Sequence, residues 1–174
     1  MTILQTTERW LLRCEQVLVY AGVVAMVAMM CLTSADALSR YLLNSPILGA
    51  YELTEKYLMV ASIFLGLSYA YRGGMFIRVT FLIDRLPPAL KLAVNVVVQL
   101  ITLAFCLLVL VASTQQAVLG WQDETTLSAL PIPVGPAYTF VPLGFLALSL
   151  MLLIDLPRVR TGRSYLFRED TPPA

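Results

Sequence analysis

The chain has 174 residues, of which 59% are hydrophobic and only 13% charged, about half the charged share of a soluble domain, and its mean hydropathy is +0.78. Uncharged runs near the length of a bilayer crossing make this an integral membrane protein of the all-α type. A net charge of +1 offers no basic field for nucleic acid, and the lack of any histidine removes histidine-ligated haem, the usual zinc sites and histidine acid–base chemistry.

Residues 1–15 mix Ile3, Leu4, Trp10, Leu11 and Leu12 with Glu8, Arg9, Arg13 and Glu15. With Thr6 or Thr7 as a cap and Trp10 at the headgroup level, they predict an N-terminal interfacial helix; the alternative is an extension of the first span. From Gln16 to Ala35 no residue is charged, which is enough for one crossing, and span one is drawn at about 16–39. Ala35-Asp36-Ala37 formally satisfies a leader cleavage pattern, but the apolar run is longer than a signal h-region. Of the three cysteines, Cys31 and Cys106 lie in apolar runs and Cys14 at a predicted boundary. No CxxC pair exists, so neither a disulfide nor a metal framework is expected.

Arg40 to Lys56 is a polar island between two apolar runs. It gathers Arg40, Glu52, Glu55 and Lys56 around an Asn44-Ser45-Pro46 break. Ser45 as cap and Pro46 at the first position predict a short arm helix lying on the membrane surface between spans one and two. Asp36 with Arg40, and Glu52 with Lys56, stand in acid-first i,i+4 order. Tyr57–Tyr71 is too short to cross alone, so span two is drawn at about 53–72. It ends at Arg72, before the stop signal Gly73-Gly74.

The connection Met75–Leu92 carries Arg78, Asp84, Arg85 and Lys91 among apolar residues, and reads as an amphipathic surface segment broken by Pro87-Pro88. Span three, at about 92–119, lies in an uncharged stretch longer than a crossing needs, so it tilts or protrudes. A proline-rich loop, Leu130–Pro136, leads to span four at about 137–155, with Pro142 in its first turns. Residues 156–174 form a basic tail, disordered beyond Phe167. The domains are thus 1–15, the four-span unit 16–155, and 156–174.

Lysine and arginine orient the spans. Arg40 and Lys56 stand on one side, and the other ten of the twelve stand on the opposite side. The positive-inside rule makes both termini cytoplasmic in a bacterial inner membrane and turns the polar island outward. Asp36 would be the coupling acid of a stand-alone four-span proton-coupled exporter, yet it sits at a span end one turn from Arg40. No phosphate-binding loop and no nucleophile–base pair is present, so no enzymatic activity is expected. Small residues (Ala21, Ala25, Ala28, Gly66) suit close helix contacts.

The series Arg40-Tyr-Leu-Leu-Asn44, Pro46, Tyr51-Glu52-Leu53, Gly66, Ala70, Arg72-Gly73-Gly74, Ile77-Arg78-Val79, Leu86-Pro87 resembles the small permease subunits of TRAP transporters, the DctQ-like proteins. Leu130-Pro131-Ile132-Pro133, Tyr138 and Pro142-Leu143-Gly144-Phe145 continue the resemblance, which runs from about Gln16 to Asp155. The family often has His before the Ile-Arg-Val and Asp after it; here those positions hold Phe76 and Thr80. The resemblance implies a non-catalytic subunit of a sodium-driven organic-acid uptake system. Its partners would be a large multi-span permease subunit, a periplasmic substrate-binding protein and membrane lipids. Substrate and sodium sites would lie in the large subunit, leaving this chain without a cofactor. The residues marked for docking or structure are Asp36, Arg40, Asn44, Glu52, Glu55, Lys56, Arg72 and Arg78.

Overall fold

The computed structural model describes residues 2–75, 87–123 and 126–159. Among these the regular elements are helical, apart from one isolated antiparallel bridge between Thr126 and Pro133. Helix α1 spans Thr2–Leu43. A second rod begins with α2 at Ala50–Leu53, passes through a π turn at Thr54–Met59 and ends in α3 at Val60–Arg72. Helix α4 spans Pro88–Gln122 and α5 spans Gly135–Val159. Three stretches are long and apolar enough to cross a membrane: Leu11–Leu43, Leu90–Gln122 and Gly135–Pro157.

The elements pack as a row. Helix α1 lies against the rod of α2 and α3, α3 against α5, and α5 against α4, so that α1 and α4 form its two edges. Ala25 and Ala61 let α1 and α3 approach closely, with Leu65 between them and Leu18, Leu58 and Phe140 around them. A second cluster joins Tyr71, Leu103, Cys106, Leu148, Met151 and Leu152 across α3, α4 and α5. Gly144 is required where α5 crosses α3, because a side chain there would run into the backbone carbonyl of Phe64.

Three expectations are corrected. The N-terminal segment is not a separate interfacial helix but the start of α1, which runs unbroken from Thr2. Neither Gly nor Pro occurs before Gly22 to interrupt it. The predicted arm helix is absent as well. Residues 44–47 are extended or bent, 48–49 form a turn, and helix resumes only at Ala50. Finally, α5 continues past Asp155 to Val159 with Pro157 in its last turn. Proline removes one hydrogen bond there while its φ remains helical.

The stretch expected to form span three lies within helix α4, whose start follows the expected proline rule: Pro87 is extended and Pro88 opens the helix. The rod Ala50–Arg72 is about 34 Å long at 1.5 Å per residue. It carries Glu52, Glu55 and Lys56 in its first two turns. Arg78, Phe76, Thr80 and most of the predicted amphipathic connection lie outside the described residues, as does the tail beyond Val159.

Candidate functional site

Two polar clasps close the row at its ends. On α1 they are marked by Glu15 and Asp36, about 31 Å apart along the helix axis. That separation is close to the thickness of a bilayer's hydrocarbon core.

At the island end, Asp36 is the organising residue. Its Oδ2 accepts Arg40 Nε at 2.9 Å and pairs with Arg40 Nη2 at 2.7 Å. Its Oδ1 accepts the backbone N–H of Ile47 at 2.8 Å, across eleven residues. Ser39 Oγ donates to the carbonyl of Ser45 at 2.7 Å. Asn44 takes a left-handed conformation, φ 51°, which asparagine tolerates better than most residues and which ends α1. These bonds fold the chain back on the last turns of α1. Ser45 spends its carbonyl on Ser39 instead of capping a new helix, which is why the expected arm does not form.

The loop between α4 and α5 then covers this corner. Leu127 N–H donates to Ile132 carbonyl at 2.9 Å, and Leu127 and Val134 are buried. Gly49, at φ 75°, is pressed by Leu130, so a side chain there would be strained and would collide with it. Glu52 Oε2 accepts the backbone N–H of Ala129 at 3.2 Å, and Tyr57 Oη donates to the carbonyl of Pro133. Glu52 and Tyr57 are five residues apart, which in an α-helix sets them about 140° apart around the axis. The π turn, with its i→i+5 closure, brings such a pair round toward one face. It thereby aims both side chains at the loop.

The predicted site residues thus separate. Asp36 and Arg40 pair, Asn44 turns the chain just beyond them, and Glu52 reaches instead to the loop between α4 and α5. The expected Glu52–Lys56 pair is not made among the described residues, because Glu52 turns to Ala129. Glu55 and Lys56 stay exposed on the π turn. Both Asp36 oxygens are engaged, which does not favour an exporter that loads and releases a proton there.

At the opposite, basic end, Arg72 Nε lies 3.1 Å from Glu15 Oε2, with Glu15 2% exposed and Arg72 25%. The Arg72 guanidinium also sits 5.4 Å from the Tyr69 ring centre. Deeper in, Tyr71 Oη donates to Asp155 Oδ2 at 2.8 Å. Gln99 Nε2 donates to Tyr71 Oη at 3.1 Å and to the Leu152 carbonyl at 3.3 Å. Tyr71, Gln99 and Asp155 are fully buried, so this network ties α3, α4 and α5 together where lipid offers no hydrogen bonds. Sequence reading marked Arg72 but not its partner Glu15. It closed span four at Asp155 and assigned no partner to Tyr57, Tyr71 or Gln99. Their available signal was a polar residue at each end of an apolar run.

Neither clasp is a catalytic arrangement. Each is a set of hydrogen bonds and ion pairs between elements, and among the described residues no cluster of three or more Cys, Asp or Glu side chains is arranged to hold a metal. Long apolar helices tied together by polar ends define a helical membrane protein. The chain belongs to the DctQ component family of the tripartite ATP-independent periplasmic transporters, whose family model matches residues 29–162. It is therefore a small permease subunit of a TRAP transporter. It is 27% identical over 161 residues to the ectoine TRAP transporter small permease protein TeaB of Halomonas elongata, an alignment covering 92% of this chain and 81% of that protein.

Proposed function

We propose that this subunit neither binds nor moves substrate itself. It braces the large permease subunit and contributes, through its island end, to docking of the periplasmic substrate-binding protein. The observation that carries this reading is the bareness of the row's edges. The most apolar window of α1 is 11% buried and that of α4 17%, against 39% for α5. A row with two open apolar edges and rigid ends is suited to lie between lipid and a larger membrane partner.

In this reading the rod Ala50–Arg72 is the fourth crossing, both termini are cytoplasmic, and the host membrane is a bacterial inner membrane. The basic residues gathered at the Arg72 end support that orientation. The driving ion is sodium, bound in the large subunit, and the system takes up organic acids. TeaB is named for ectoine; for this chain the substrate is set by its partners.

Affinity capture of the tagged chain from its native membranes, followed by uptake assays on the captured complex, tests the reading. The large subunit is expected to co-purify. Arg40→Ala or Glu52→Ala is expected to weaken uptake driven by the binding protein while the complex stays intact. Transport by the chain alone would overturn the proposal.

A further inference from the structure

The two bare edges differ in one respect. On α1, the exposed positions Val17, Tyr20, Val24, Val27 and Met30 form an apolar face broken only by one tyrosine hydroxyl. On α4, the exposed face runs Ile101, Ala104, Leu108, Val111, Gln115, Val118. These residues recur at alternating steps of three and four, the spacing of a helix–helix seam. A groove of about 580 Å³ opens on its island half, flanked by Leu110, Thr114 and Leu119.

Gln115 stands in this groove, about 10 Å inside the island end of the apolar stretch Leu90–Gln122. Its amide has no hydrogen-bond partner among the described residues. Acyl chains cannot satisfy two N–H donors and a carbonyl, so an amide facing lipid keeps its full desolvation penalty. A neighbouring helix can satisfy it, and a single polar residue in an apolar seam is the feature that sets the register of a helix pair. The α1 face carries no amide or charge between Val17 and Met30 and is satisfied by lipid alone.

We propose that the α4 seam centred on Gln115 receives a transmembrane helix of the large permease subunit. That helix presents a hydrogen-bonding side chain opposite Gln115, and the α1 edge faces lipid. The inference rests on the reading of the chain as a bracing subunit, and it states which edge does the bracing.

The test places a photoreactive residue at Val111, at Val118 or at Val24 in the full complex in its native membrane. Val111 and Val118 are expected to give adducts with the large subunit, and Val24 only adducts of lipid size. Large-subunit adducts from Val24 and none from α4 would overturn the choice of edge while leaving the bracing role intact. Adducts from Val111 to a second copy of this chain would make α4 a homodimer face and overturn the proposal. Failure of the large subunit to co-purify with the unmodified chain would overturn both readings. In the same complex, Gln115→Leu is expected to lower retention of the large subunit about threefold, with Gln115→Asn recovering part of it. Unchanged retention in Gln115→Leu would remove the amide from the argument.

Discussion

The Glu15–Arg72 clasp is the part of the structure whose energetics can be worked most directly. Arg72→Met keeps most of the side-chain volume and removes the cation, leaving a carboxylate that is 2% exposed. Breaking a fully buried pair from one side costs about 3–5 kcal/mol. Here the guanidinium is 25% exposed, so water already screens the pair, and the loss falls to about 2 kcal/mol. Glu15→Gln leaves Arg72 free to turn toward solvent and costs less than about 1 kcal/mol. The double variant buries no charge at Glu15 and should cost no more than Arg72→Met alone. The two substitutions are therefore coupled by roughly 1–2 kcal/mol.

For a chain of this size, Arg72→Met then lowers the midpoint of thermal unfolding by roughly 4–8 °C. Adding Glu15→Gln recovers part of that loss. Thermal unfolding of the purified complex in detergent, followed for the wild type, both single variants and the double variant, measures the coupling. Additive effects would show that the clasp does not hold α1 to α3, and would refute the reasoning.

Other consequences follow from the packing and the loop. Gly144→Ala forces a methyl group into the Phe64 carbonyl and should destabilise the fold by about 1–3 kcal/mol, read from the same unfolding curves. Glu52→Ala removes the acceptor of the Ala129 N–H, so amide exchange at Ala129 should rise while exchange in the middle of α5 is unchanged. Tyr57→Phe should loosen the same loop through Pro133, and its effect combined with Glu52→Ala should be non-additive, because both residues hold one segment. If exchange across residues 126–134 stays at its wild-type rate in both variants, the loop is held by Leu127, Leu130 and Val134 alone.

What the sequence revealed followed from local physics. The long uncharged runs located α1, α4 and α5, and Pro87-Pro88 located the start of α4. The ordered short motifs from Arg40 to Phe145 identified the family. The missed features depend on partners far along the chain. Ser45-Pro46 is a sound helix start by itself, but Asp36 and Ser39 compete for the same backbone, and Asn44 accepts the left-handed turn that results. The π turn has no composition of its own. It is visible only once Glu52 and Tyr57 are both seen to reach a loop more than seventy residues away. Glu15 sat in a mixed segment that fitted a surface helix, and its burial depends on Arg72 arriving from another helix. Asp36 and Arg40 were legible as a pair, since four residues on a helix decide it, but the hold of Asp36 on Ile47 was not.

The central claim is that this chain supports transport without performing it. Its most direct test is uptake into vesicles reconstituted with the large permease subunit and this subunit, with the binding protein and sodium supplied outside, compared with vesicles lacking one component at a time. Uptake is expected only with all three proteins, with none from this chain alone and a loss of uptake when this chain alone is omitted. Uptake by this chain alone, or undiminished uptake in its absence, would contradict it.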